Sequence, residues 1–295
     1  MSCPDCFRGG ITTSHPTGTE TTIHGLPTYV ASPDEGVTPK GIIVFITDAF
    51  GWKFVNNRVL SDHYAKKGGF LVYCPDFMDG KPLDPQVLTL MDQISTPSSW
   101  LTTLFYKPFW IMQTMLLAIP WKSKASIPIT RPRVISFIQA LRTSLPPFST
   151  DDLKIGVAGF CWGGKHTVLL AKDDPSSRVC RHESQKNHKM DQRLIDCAFT
   201  AHPSYLEVPI DINAITIPIS VAVGDEDMAL KAPLIRQMKE ILEAKEGQNH
   251  EVHIMPGAKH GFAVRTHPED KREMECAEKA EVQAIEWFTR WFVPK

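Results

Sequence analysis

The chain has 295 residues, 42% of them hydrophobic and 22% charged, and its formal net charge is −1. This is the composition of an ordinary globular protein, and the length suits one α/β domain. The near-neutral balance gives no electrostatic reason to expect nucleic acid or an acidic membrane as a partner. Seven cysteines, an odd number with no regular framework, suggest a reducing compartment. No charged segment runs into an apolar core at the start, so the expected location is cytoplasmic.

Residues 1–40 read as extended and turn-rich, with an N-terminal extension over 1–25 and an edge strand around Thr28 to Ala31. Cys3 and Cys6 form a Cys-x-x-Cys pair, but zinc would need a second pair at matching spacing and none follows, so no metal is expected. Gly41 to Ile46 is almost continuously apolar, as in a parallel strand covered on both faces. A helix is predicted through Val55 to Lys67, then a strand from Phe70 to Cys74, and Phe137 to Thr143 ends a further helix. A strand over Lys154 to Ala158 precedes a helix over Lys165 to Ala171. Strands near 195–200, 217–223 and 251–255 then alternate with helices near 231–245 and 270–292. The alternation predicts a doubly wound, mainly parallel sheet with helices on both faces, binding ligands beyond the carboxyl ends of its strands.

Two segments stand apart. Residues 173–193 are polar and read as a solvated surface insertion, with a basic binding patch as the alternative. Residues 100–121 are the most apolar part of the chain, interrupted by Lys107, Pro108 and Pro120. The uninterrupted portion is shorter than the ~20 residues a membrane span needs, so no stable membrane insertion is expected. Three readings stay open for this segment: a core helix, an aromatic lid inserted over 96–125 with Trp110 facing substrate, and a face that docks on a membrane surface.

The densest chemical signal is Gly159-Phe160-Cys161-Trp162-Gly163-Gly164, a strand running through a tight turn into a helix. This is the context of a nucleophile elbow, with cysteine in place of the usual serine. The residues two before and two after the nucleophile must be tiny, and Gly159 and Gly163 stand there. A helix N-terminus behind the sulfur also favours a thiolate. A buried structural cysteine in a glycine-rich turn is the plainer alternative.

An elbow predicts an acid and then a histidine after later strands. Gly224-Asp225-Glu226-Asp227 follows one strand, and Lys259-His260-Gly261-Phe262 follows the next. Asp227 is preferred to Asp225 because it lies farther past the strand end. His260 would take the thiol proton and the acid would fix its tautomer. His202, after the strand near 195–200, is a competitor that could instead line the cleft. The loop after the Gly41 strand, Thr47-Asp48-Ala49-Phe50-Gly51, would supply one oxyanion amide from Ala49, and Trp162 the other. Asp48 is a carboxylate beside the thiol.

These motifs, with Tyr73-Cys74-Pro75-Asp76, resemble the dienelactone hydrolase family of α/β hydrolases, especially its fungal and other eukaryotic members, over roughly residues 20 to 292. The resemblance implies the α/β-hydrolase fold, Cys161 as nucleophile, Asp227 as acid and His260 as base. It implies Asp48 as the acidic residue that modulates the thiol, and lactone or ester hydrolysis without a cofactor. Arg265 is a near match to an arginine that holds the substrate carboxylate in bacterial members, and Phe50, Trp110, His202 and Phe262 are further substrate-facing candidates. A second arginine of those members has no counterpart, since no arginine lies between Arg58 and Arg131.

The expected function is therefore a cysteine-dependent carboxylic ester hydrolase acting on a small-molecule lactone, ester or thioester. The aromatic segment and the missing arginine favour an aromatic or polyketide-type substrate. A thioesterase or C–C hydrolase of secondary metabolism, and a non-catalytic binding protein on the same fold, are the alternatives. A homo-oligomer is compatible with the sequence.

Overall fold

The computed structural model describes residues 10–247, 249–266 and 269–293; the Cys3–Cys6 pair lies outside them. In chain order the elements are β1 (Thr19–Ile23), β2 (Leu26–Ala31), β3 (Ile42–Ile46), α1 (Val55–Gly68), β4 (Leu71–Pro75), α2 (Gln86–Ser95), α3 (Lys107–Lys124), α4 (Ile127–Thr143), β5 (Ile155–Phe160), α5 (Trp162–Ala171), β6 (Val179–Cys180), β7 (Asp191–Gln192), β8 (Cys197–Ala201), α6 (Ile210–Asn213), β9 (Ile219–Gly224), α7 (Ala232–Glu243), β10 (Glu251–Met255) and α8 (Lys271–Phe292).

Eight strands make one sheet in the order β1-β2-β4-β3-β5-β8-β9-β10. From β4 to β10 every neighbouring pair is parallel, while β2 runs antiparallel to β1 and to β4. This is the α/β-hydrolase fold. Strands β3, β5, β8 and β9 are buried at every position, which is why their sequences are apolar runs without alternation. Phe45 of β3 stacks on Phe160 of β5 with ring centres 4.7 Å apart, and α8 covers one face with Trp287, Phe288 and Phe292. Chain order reverses between β3 and β5, since β4 lies on one side of β3 and β5 on the other. That switch opens a crevice at the strand ends, where ligands of such sheets bind.

Three expectations change. The strand at Thr28 to Ala31 is internal, flanked by β1 and β4, and the edge belongs to β1, inside the expected N-terminal extension. His24 and Gly25, both at positive φ (46° and 81°), close that hairpin in the two-residue geometry that matches strand twist. The core-helix reading of residues 100–121 fails. After a π-helical turn at Thr102–Tyr106, α3 buries only Trp121, and Phe105, Met115, Leu116 and Ile119 are more than half exposed. In the polar segment, Arg178 and Arg193 pair with Asp173, and Arg181 pairs with Asp152 and Asp196. Its arginines are thus neutralised locally, against a basic patch.

No helix among the described residues is long and apolar enough to cross a membrane. None of the described cysteines forms a disulfide.

Buried histidines weaken the fold in acid. Burial, helped by Arg131, holds His166 at about 3, and its Nε2 lies 3.0 Å from the Thr130 hydroxyl. His250 is held at about 4 by burial and by Lys245. These values lie below the ordinary imidazole value of 6.5, so the unfolded chain binds protons first as pH falls. Stability is present above about 6.5 and is lost progressively on descending towards 3. Urea unfolding at pH 7 and pH 5 should show the loss, and His166→Gln should flatten it; an unchanged slope would contradict this account.

Candidate active site

Strand β5 ends at Phe160 and α5 begins at Trp162, so Cys161 makes the turn alone, at φ 50° and ψ −109°. Positive φ on a residue with a β-carbon costs about 1–3 kcal/mol and persists only where the surroundings enforce it. Here they do. Cys161 N–H donates to the Ala201 carbonyl at 3.3 Å, and the Cys161 carbonyl accepts from Gly164 and Ser204 at 3.0 and 2.9 Å. A β-carbon at Gly159 would sit 2.0 Å from Thr167 Oγ1, and one at Gly163 would sit 2.1 Å from the Ile46 carbonyl oxygen. Only glycine fits either position.

Gly163 N–H donates to the Thr47 carbonyl at 3.1 Å, which ties the elbow to the loop after β3. That loop is pinned again where Leu83 N–H donates to the Ala49 carbonyl at 2.8 Å. Among the described residues, no backbone carbonyl accepts from Ala49 N–H or Trp162 N–H. Both amides remain available to a ligand oxygen, a requirement of an oxyanion site.

Asp227 and His260 have no exposed side-chain surface, and His260 Nδ1 lies 2.9 and 3.0 Å from the two Asp227 oxygens. Asp227 Oδ1 also accepts from the Ala229 amide at 2.7 Å, so the loop that follows β9 aims the carboxylate. Asp225 is used elsewhere. Its Oδ1 accepts from Gly257 N–H at 2.6 Å and holds the turn after β10. On its other side His260 Nε2 is 3.3 Å from the Ser204 hydroxyl, which lies 3.4 Å from Cys161 Sγ. Ser204 is the member that sequence reasoning missed. Its only signal is a hydroxyl two residues past His202 at the carboxyl end of β8.

His202, at φ 40°, is fully buried and packs edge-on against the rings of His260 (5.0 Å) and Phe262 (5.7 Å). Burial, with His260 and Arg265 adding to it, holds His202 well below the usual imidazole range. It is a neutral wall of the cluster, not a base beside the thiol.

Arg265, the candidate for holding a substrate carboxylate, pairs with Asp48. Its side chain is fully buried, donates from Nη1 to Asp48 Oδ2 at 2.5 Å, and lies 5.1 Å from the centre of the Phe50 ring. Asp48 Oδ1 accepts from Phe50 N–H at 3.1 Å and from Asn57 Nδ2 at 3.0 Å. Burial pushes the Asp48 carboxyl upward, the Arg265 guanidinium opposes this, and negative charge on Cys161 adds to the rise. The pair with Asp48 uses Nη1, one of the three guanidinium nitrogens.

The aromatic segment reaches the elbow through its last turn. Trp121, Ala125, Ile127, Pro128, Trp162 and Tyr205 line a cleft of about 390 Å³, walled otherwise by Lys122, Ser126, Lys165 and Glu207. Trp162 Nε1 donates to the Ala125 carbonyl at 2.7 Å, locking the elbow to this cleft. Trp110 lies about 16 Å up the helix axis from Trp121, half-buried beside Tyr106. Among the described residues, no cluster of three or more His, Cys, Asp or Glu side chains is arranged to hold a metal ion.

A family model described as the dienelactone hydrolase family matches residues 26–292. The chain is 27% identical over 286 residues to Hydrolase pyvD of Aspergillus violaceofuscus, covering 97% of this chain and 95% of that one. It is 23% identical over 287 residues to Dienlactone hydrolase 1 of Gibberella moniliformis, covering 97% and 92%. Among solved structures, dienelactone hydrolase from Anabaena variabilis superposes with a TM-score of 0.54 at 16% identity, over 94% of this chain and 98% of that one. That likeness concerns the fold.

The hydrogen-bonded order Asp227, His260, Ser204, Cys161 makes a prediction about thiol reactivity. Alkylation of Cys161 by iodoacetamide at pH 7, followed on its own peptide by mass spectrometry, should slow roughly tenfold in Ser204→Ala, the value of one hydrogen bond. It should slow more in Asp227→Asn and stay near wild type in Asp225→Asn. Equal rates in all four proteins would detach the thiol from the cluster.

Proposed function

The chain belongs to the dienelactone hydrolase family of carboxylic ester hydrolases, and on that premise we propose that it cleaves a lactone or ester by acyl transfer through Cys161, His260 and Asp227. The observation that carries this reading is the placement of His260 between Asp227 on one ring nitrogen and the Ser204–Cys161 pair on the other.

In the proposed cycle His260 Nε2 accepts the thiol proton, through the Ser204 hydroxyl or directly, and the Cys161 sulfur attacks the acyl carbon. The carbonyl π-pair moves to oxygen, where the Ala49 and Trp162 amides meet the charge; such donors are worth about 10²–10³ in rate each. Collapse re-forms the C=O bond and breaks the acyl C–O bond. The departing alkoxide takes the proton from His260, and in a lactone it stays tethered to the acyl group. Water then gives one proton to His260 and its oxygen to the acyl carbon, and the sulfur leaves and recovers the proton. Water is consumed, ester becomes acid and alcohol, and the protein is unchanged. Asp227 keeps Nδ1 protonated and offsets the imidazolium charge.

The finer substrate reading follows from the walls. The cleft beside the elbow is mostly aromatic and aliphatic. That lining favours a bulky apolar acyl or aromatic group, of the polyketide type, over a small carboxylated dienelactone.

The test compares wild type with Cys161→Ala on p-nitrophenyl acetate, a dienelactone and an aromatic lactone. Loss of at least about 10³-fold with Cys161, and a higher kcat/KM for the aromatic lactone than for the dienelactone, is the expected result. Turnover near wild type in Cys161→Ala would overturn the nucleophile. A preference for the dienelactone would overturn the substrate reading.

A further inference from the structure

Helix α3 wears its apolar side outward. At 100° per residue, Phe109, Ile111, Met112, Met115, Leu116 and Ile119 fall within one arc of about 160°, and every one of them is exposed. The opposite arc carries Trp110, Gln113, Thr114, Leu117 and Ala118, half-buried, so the polar pair Gln113 and Thr114 faces the protein side. Leu104 and Phe105 extend the exposed arc on the preceding π-helical turn. A contiguous apolar surface of this kind on a globular protein marks a site of association.

Charge selects the occupant. Between residues 93 and 150 there is no Asp or Glu; Arg131, Arg133 and Arg142 in that span pair with Asp174, Asp79 and Asp196, so the charge the segment offers is that of Lys107, Lys122 and Lys124. Lys122 is exposed at the end of the arc, and Lys124, on the other side, is exposed at the same end of the helix. A second copy of the chain on this face would bring lysine against lysine with no acid in the segment to pair with it. An anionic lipid surface offers both partners at once: acyl chains for the arc and headgroups for the lysines. The helix, about 27 Å long at 1.5 Å per residue, would lie in the interface plane and does not span it.

We propose that the outward face of α3 docks this protein peripherally on an anionic membrane surface. The docking is independent of the Cys161 chemistry and holds for Cys161→Ala as for wild type.

The full chain is floated with vesicles of phosphatidylcholine, with and without roughly one-third phosphatidylserine. Wild type and Cys161→Ala should float with the anionic vesicles, with a blue shift of tryptophan emission, and more weakly with the neutral ones. The exposed double variant Phe109→Ser/Leu116→Ser, which should fold normally, should bind at least about tenfold more weakly, since each loses a large apolar side chain from the lipid contact. Lys122→Glu/Lys124→Glu should lose the preference for phosphatidylserine. Failure of wild type to float, equal binding to both compositions, or undiminished binding by Phe109→Ser/Leu116→Ser would each overturn the proposal. So would a dimer seen by light scattering that the same double variant dissolves while no vesicle is bound.

Discussion

Gly163 approaches β3 so closely that a single added β-carbon would lie 2.1 Å from the Ile46 carbonyl oxygen. This contact fixes the distance between two loops that the rest of the site depends on. It lets Gly163 N–H reach the Thr47 carbonyl and hold the loop with Ala49 against the elbow with Trp162. It also forces the chain at Cys161 into a conformation that residues with a β-carbon avoid. The cost is met by a sheet whose central strands are buried on both faces and cannot shift to relieve it.

On this frame sits a compact set of buried polar groups. Asp48 and Arg265 have no exposed side-chain surface, nor have Asp227 and His260, and the neutral ring of His202 packs against His260. Such pairs are costly to desolvate and costly to break, because removing one member strands the other. Their geometry is therefore more rigid than that of an exposed site. Ser204 joins the set through its backbone, since its N–H bonds the Cys161 carbonyl while its hydroxyl faces the sulfur and His260.

What the sequence discloses follows the range of each constraint. The glycines at 159 and 163 are local steric demands, so the elbow can be read within six residues. Asp227 and His260 are legible because each follows an apolar run that only a buried strand explains. The Asp48–Arg265 pair joins residues 217 apart, and nothing local to Arg265 tells whether it faces a ligand or a partner side chain. Ser204 is hidden for the same reason: its role rests on a bond to the elbow across the crevice. β1 escapes notice because Thr19 to Thr22 is exposed throughout and lacks the alternation of a half-buried strand. In α3 the apolar pattern is plain, yet hydrophobicity states only that a surface is to be covered. Whether the chain itself covers it depends on how the helix packs.

The conformation at residue 161 is enforced by backbone hydrogen bonds and by glycines on either side, none of which touches the side chain. The architecture is thus indifferent to which atom that side chain carries. Exchanging sulfur for oxygen there alters one element on an unchanged scaffold, and the neighbours that suit one do not automatically suit the other. Chains of this fold can accordingly diverge in reactivity through a single codon, with adaptation following in the surrounding loops and the sheet left as it was.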